Sequence, residues 1–173
     1  MKNMDFLTLS KERYSVRKFL DRKVEEEKIN RILKAGQIAP TACNKQPQRI
    51  YLIESDEALE KWRKCTPCHF GETLVLLTCV NKTEEWKRDF DGKTSGDVDA
   101  SIVMTHMMLE GWELGIGSTW VMYFIPEAVR VEFCLPDELE PIGALLMGYP
   151  AENVKPSSMH EKKKEISETV VRL

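Results

Sequence analysis

The sequence is short of histidine, with 3 in 173 residues, and no Ser-His-Asp or Cys-His order can be assembled around them. It has no long hydrophobic run. The longest apolar stretches, such as residues 74–80, fall far short of the ~20 residues a membrane span needs. Neither sign of charge dominates. Lys plus Arg number 25 and Asp plus Glu 28, a net charge of −3, whereas a non-specific nucleic-acid binder is normally basic. There is no internal repeat and no low-complexity tract. With 42% hydrophobic and 31% charged residues, disordered and collagen-like chains are excluded in favour of a globular one. The G-x-G-x-x-G dinucleotide fingerprint is also missing. Gly115-Ile116-Gly117 has the wrong spacing and follows a helical pattern instead of a strand. At roughly 150 residues per domain, the length predicts one domain over residues 1–173, able to bury about 70% of its unfolded surface.

Five cysteines are present: Cys43, Cys65, Cys68, Cys79 and Cys134. The odd number, with no apolar core of signal-peptide length in Met1-Lys2-Asn3-Met4-Asp5 or the residues after it, leads to the expectation of a cytoplasmic protein with free thiols. Cys65-Thr66-Pro67-Cys68-His69 matches the c-type haem attachment pattern, but that chemistry normally goes with export. A single C-x-x-C is half of a zinc site, and a redox C-x-x-C would want a βαβ start. The expectation is incidental thiols and no metal. The alternative is a flavin- or metal-binding redox sensor that uses Cys65-x-x-Cys68 and turns over little.

Helices are predicted over residues 24–39, 56–64 (capped by Ser55 or Asp56), 97–114 and 126–133. Strands are predicted over 49–54, 74–80, 118–124 and 142–148. Residues 81–96 read as loop, and 165–171 as extended or helical. The order lacks a clean alternating period, which favours an α+β fold over a doubly wound sheet. The 97–114 helix has few polar positions and should be mostly buried, with His106 a satisfied core histidine and Met104, Met107 and Met108 filling the core. Asp97 and Asp99 read as acids of the helix N-terminus, with metal ligation the lesser alternative.

Four constellations could carry chemistry. Arg13-Tyr14-Ser15-Val16-Arg17-Lys18-Phe19 would, if extended, point Arg13, Ser15 and Arg17 to one side as a phosphate or carboxylate site. Ala39-Pro40-Thr41-Ala42-Cys43-Asn44-Lys45-Gln46-Pro47 is a stiff loop whose Asn44 and Gln46 amides could read a polar heterocycle edge. Leu114-Gly115-Ile116-Gly117-Ser118-Thr119-Trp120-Val121-Met122 allows close backbone approach, or simply caps a helix. His160-Glu161-Lys162-Lys163-Lys164 is either a solvated charge run or a phosphate clamp. Taken singly, each reads as readily as plain structure.

In this order the four pieces, followed through Gly148-Tyr149-Pro150 to a basic tail, resemble the FMN-dependent nitroreductase family over nearly the whole chain, as a compact member. The resemblance implies an α+β nitroreductase-like fold, with a central, mostly antiparallel sheet flanked by helices. It also implies an intertwined homodimer with two FMN sites at the subunit interface. Residues 150–173 would then reach across the partner.

By the same resemblance, Arg13 and Ser15 match positions that hold the phosphate and ribityl end, and Tyr14 lies in the same motif. Arg17 matches a cation near N1 and the C2 carbonyl, where it would stabilise negative charge developing on reduction. Pro40, Thr41 and Ala42 match the segment beside the ring and ribityl chain, and Asn44 and Gln46 would contact the pyrimidine edge or brace the loop. Trp120, Val121 and Met122 match the segment passing the ring. Lys163 falls where the family has a phosphate-binding arginine, with His160 and Lys162 as substitutes. A lysine there binds as a point charge without a fork. Some members carry an acidic residue where Met122 stands. The activity implied is NAD(P)H-dependent reduction of nitroaromatics, quinones or similar electron-poor acceptors by a ping-pong mechanism. No side chain is identified as an obligatory acid or base.

Overall fold

A computed structural model describes residues 5–173, so the reading of Met1-Lys2-Asn3-Met4 lies outside the described residues. The apolar run from Leu74 forms β2 (Leu74–Asn81), buried at every position. Continuous burial requires cover on both faces, and alternation sorts the side chains between them. Leu74 and Leu76 enter one core with Leu145 and Met147 of β4 (Leu139–Gly148). Val75, Leu77 and Cys79 enter the other with Ala144 and Leu146. The sheet order is β1-β2-β4-β3, with β1 at Gln48–Ile53 and β3 at Gly117–Val121, and every neighbour pair is antiparallel. The α+β class and antiparallel sheet expected from the sequence are therefore borne out.

Two helices cover the first face. Helix α2 (Glu26–Gln37) contributes Ile29 and Ile32, and α4 (Gly96–Glu113) contributes Val103, Met104 and Met107. On the second face lie α3 (Asp56–Cys65), with Leu59 and Trp62, and α5 (Pro126–Glu132), with Val129. Ser55 caps α3 by accepting from the Ala58 amide. Helix α4 ends in a Schellman motif, in which the Gly115 amide donates to Trp112 and the Ile116 amide to Gly111. Gly115 takes the left-handed φ of +76° that this turn needs.

Several expectations need correction. A helix missing from the sequence reading, α1 (Phe6–Glu12), is capped by the Asp5 carboxylate, which accepts from the Leu7 and Thr8 amides. At seven residues it is too short to show a period. The strand predicted to reach Phe124 stops at Val121, because the next residues bond to the turn after α3 instead of to β4. The β4 strand begins at Leu139, earlier than predicted, and accommodates Pro141 at a register shift opposite Thr78 and Cys79. His106 is half-buried and not in the core; its Nδ1 lies 2.9 Å from the Ile102 carbonyl on its own helix. Residues 165–171 contain the short helix α6 (Ile166–Thr169).

One polar network ties the helical layer to the end of β4. The Tyr149 hydroxyl donates to Glu25, and Lys28 Nζ donates to that hydroxyl at 2.8 Å and to the Leu114 carbonyl at 3.1 Å. The Arg22 guanidinium lies 4.1 Å from the Tyr149 ring centroid. The Tyr149 hydroxyl, the residue's own amide and Arg22 together hold the Glu25 carboxyl down to about 2. A carboxylate whose folded value is depressed stabilises the fold above its unfolded value of about 4.3, and that contribution fades as pH falls toward 2. Melting temperature followed from pH 6 to pH 2 is therefore expected to drop less steeply in Glu25→Gln than in the wild type.

Candidate functional site

The segment from Arg13 to Phe19 is extended and runs beside the start of β3. Ser15 bridges Ser118 in parallel, and the Val16 amide donates to the Ser118 carbonyl at 2.9 Å. Val16 is fully buried and packs against Gly117, where an added Cβ would stand 2.6 Å from Val16 Cγ2 and 3.0 Å from Pro150 Cγ. Gly117 thus provides the close approach, while Gly115 serves the helix cap. Gly117→Ala is expected to cost roughly 1–3 kcal/mol of stability through overpacking, read as a lower melting temperature.

With Val16 turned inward, Arg13 and Ser15 are half-buried and Arg17 is exposed. Burial pulls the Arg13 guanidinium below its ordinary value. Of the nine arginines, Arg22, Arg31, Arg49, Arg63 and Arg88 each meet a carboxylate, whereas among the described residues Arg13, Arg17, Arg130 and Arg172 have none, and of these four Arg13 and Arg17 stand together beside Ser15. A half-buried guanidinium beside a hydroxyl and a second arginine is a donor set for a phosphate or carboxylate.

The tail returns to this region. The Tyr14 hydroxyl donates to the Val154 carbonyl at 3.1 Å, its ring packs edge-on to Trp112 at 5.1 Å, and His160 lies 6.3 Å away. His160 Nε2 lies 2.9 Å from the Lys11 carbonyl, and Lys163 Nζ donates to the His160 carbonyl at 2.6 Å. Tyr14 and His160 line a cavity of about 490 Å³ together with Thr8, Lys11 and Pro156. Lys162 is exposed. Beyond this return the tail stays exposed, including the apolar Ile166, Val170, Val171 and Leu173.

The second group lies elsewhere. After Pro40, the loop carries three non-glycine residues in the left-handed region: Cys43 (φ 48°), Asn44 (φ 52°) and Gln46 (φ 50°). Such strain persists only where surroundings impose it, and it gathers at ligand sites. Here the Thr41 hydroxyl accepts from the Gln46 amide at 3.0 Å, and Gln46 Nε2 donates to Asn44 Oδ1 at 3.1 Å. The Asn44 and Gln46 side chains therefore brace the loop. Asp99, 2% exposed, anchors it: one carboxylate oxygen accepts from the Ala42 amide at 2.8 Å and the other from the Ser95 hydroxyl at 2.7 Å. Asp99 is a helix N-terminal acid, as read from sequence, but its role as loop anchor was missed. No local pattern signals a contact across 57 residues.

Trp120 packs on the α2–α4 face, its Nε1 buried and without a hydrogen-bond partner among the described residues. Val121 turns into the opposite core, and Met122 is exposed. Burial pushes the Cys65 thiol up, and its Sγ donates to the Lys61 carbonyl. Among the described residues no three His, Cys, Asp or Glu side chains converge as metal ligands.

A helix packed by one face on a four-stranded antiparallel sheet, with a segment of carboxylate-free arginines near one end and an amide-rich loop in left-handed backbone at the other, describes an α+β protein with two candidate ligand-binding segments. A sequence profile of the Nitroreductase family matches residues 10–70 and 69–149. A Methanothermobacter thermautotrophicus protein with the provisional name NADH dehydrogenase/NAD(P)H nitroreductase is 31% identical over 159 residues, 87% of this chain and 80% of its own. The crystal structure of a nitroreductase family protein from Clostridium difficile 630 matches with a TM-score of 0.92 at 46% identity, over 97% of this chain and 98% of that one. A provisionally named nitroreductase from Desulfovibrio desulfuricans, crystallised in complex with FMN, shares the fold with a TM-score of 0.79 at 23% identity, over 96% of this chain and 95% of that one. The chain belongs to the nitroreductase family.

Proposed function

We propose that this protein is a cytoplasmic FMN-dependent oxidoreductase that uses NAD(P)H to reduce nitroaromatics, quinones or similar electron-poor acceptors. The observation that carries the reading is the pair Arg13 and Arg17, cations without a carboxylate partner among the described residues, set beside Ser15 where the family motif expects phosphate and ring contacts. These residues fit the group. The phosphate of FMN would complete the charge that burial of Arg13 leaves uncompensated, and Arg17 would favour negative charge on the ring. Bound FMN would supply hydride acceptance from NAD(P)H and electron delivery to the acceptor, donor and acceptor using the site in turn. The protein would contribute orientation and electrostatics.

We further propose that the working unit is a homodimer and that each FMN site draws on both copies. Tyr14 lies at Trp112 and Ala42 at Asp99, thirteen residues apart on α4, or about 20 Å along its axis. With the two groups set against opposite ends of α4, those of one chain would serve different cofactors. Helix α4 supports the arrangement. Val98 (55% exposed), Ser101, Ile102, Thr105 and His106 line an apolar depression of about 410 Å³ on its outer face. A second copy packed there about a two-fold axis, with the α4 helices antiparallel, would bring the Asp99 end of one to the Trp112 end of the other. The exposed apolar tail would then lie on the partner.

The test is the visible absorption spectrum of freshly purified protein before and after anaerobic NADH or NADPH. A two-band flavin spectrum that bleaches is the expected result. A colourless protein that takes up no added FMN would overturn the function.

A further inference from the structure

The backbone that leaves β3 is fastened by the Cys65-Thr66-Pro67-Cys68 turn, and none of its contacts uses a thiol. The Thr66 hydroxyl donates to the Tyr123 carbonyl at 2.5 Å and accepts from the Cys68 amide at 3.0 Å. The Ile125 amide donates to the Cys65 carbonyl at 2.8 Å. The Phe124 ring lies 5.8 Å from that of Trp62. Thr66 itself is 4% exposed.

The side chains held out by this backbone behave differently. Met122 is 67% exposed and Tyr123 75%. A backbone tied down at Tyr123 and Ile125 and flanked by a packed Phe124 ring, with two large side chains standing in solvent, is a presenting segment and not a fraying strand end. It continues directly from Trp120 and Val121.

We propose that Thr66 is a positioning residue of the flavin site, whose hydroxyl fixes the Tyr123 carbonyl, next to Met122, against the turn after α3. The inference rests on the reading of Trp120, Val121 and Met122 as the segment beside the ring. It accounts for a motif that neither haem, metal nor redox chemistry absorbed: the turn works through one hydroxyl and two main-chain groups. A threonine hydroxyl has one proton to donate and lone pairs to accept, and both capacities are used here. Valine has the same shape but neither capacity, so Thr66→Val leaves the Tyr123 carbonyl and the Cys68 amide unpaired and the segment free to shift. Serine retains both.

The experiment compares wild type, Thr66→Val and Thr66→Ser for FMN content, reduction potential of the bound flavin, and turnover. Thr66→Val is expected to keep its FMN, because the phosphate contacts lie at Arg13 and Ser15. Its flavin potential shifts and its kcat falls roughly three- to tenfold, the factor carried by one hydrogen bond. Thr66→Ser restores both. A Thr66→Val protein with a lowered melting temperature but wild-type potential and kcat would reduce Thr66 to an ordinary structural residue. If Thr66→Val does not fold, Phe124→Leu, which frees the same segment from Trp62, carries the same expectation, and an unchanged potential there overturns the proposal. A wild type that binds no FMN overturns the functional reading and this inference together, and is recognised before any variant is made.

Discussion

Arg13→Ala lowers FMN affinity roughly 10- to 150-fold, the factor corresponding to the ~1.5–3 kcal/mol of a charge-assisted hydrogen bond. The direction follows from electrostatics. The guanidinium is half-buried, and among the described residues no carboxylate neutralises it. It is therefore available to an incoming anion, and its removal leaves a phosphate of nearly two negative charges to Ser15 and the tail lysines. Lysines act there as point charges without the bidentate fork. Titration of the apoprotein with FMN, followed by quenching of flavin fluorescence, measures the effect. Arg17→Ala serves as the internal contrast, because an exposed cation near the ring has less to do with affinity. Its expected signature is a lower flavin potential with a smaller loss of binding. Equal affinity in Arg13→Ala and wild type would place the phosphate elsewhere.

The second large effect is expected far from any phosphate contact. Asp99 and Trp112 mark the two ends of α4 that carry the loop anchor and the Tyr14 contact, and their midpoint falls between Thr105 and His106. In a two-fold pairing of antiparallel α4 helices, residues at that midpoint meet their own copies. Thr105→Glu therefore sets two like charges face to face, and such juxtaposition opposes association strongly. Thr105 is half-buried on the outer face, and among the described residues its hydroxyl bonds only to the Ser101 carbonyl of its own helix, so the folded monomer should tolerate the change. Sedimentation is expected to show a dimer becoming a monomer. FMN affinity should fall at least as far as in Arg13→Ala, although every cofactor-binding residue is intact. A variant that remains dimeric and retains FMN would put the interface on another face of the molecule.

What the linear sequence disclosed is bounded by the range of its signals. Long apolar or periodic stretches announced themselves: β2 as an unbroken run buried on both faces, α2 by its helical spacing, and α4 by its length and its Gly115 stop. The residue types of the arginine segment and the proline-bounded loop were likewise visible, because donor chemistry belongs to side chains and survives without coordinates. Short elements were not visible. Helix α1 depends on one capping carboxylate, and β3 ends where the Thr66 turn competes for its backbone. The outward face of α4 is more open than its composition suggests, because few polar residues in a helix do not say which of its faces the rest of the chain covers. The union of the Ala42 amide with Asp99, the seat of Val16 on Gly117 and the fastening of Tyr123 by Thr66 exist only in three dimensions. Each joins residues tens of positions apart, and nothing local in the chain encodes which distant hydroxyl, carboxylate or glycine will arrive. Composition and motif determined what chemistry this chain could perform. Packing decided where those groups stand, and set the arginine segment and the proline-bounded loop at opposite ends of one helix.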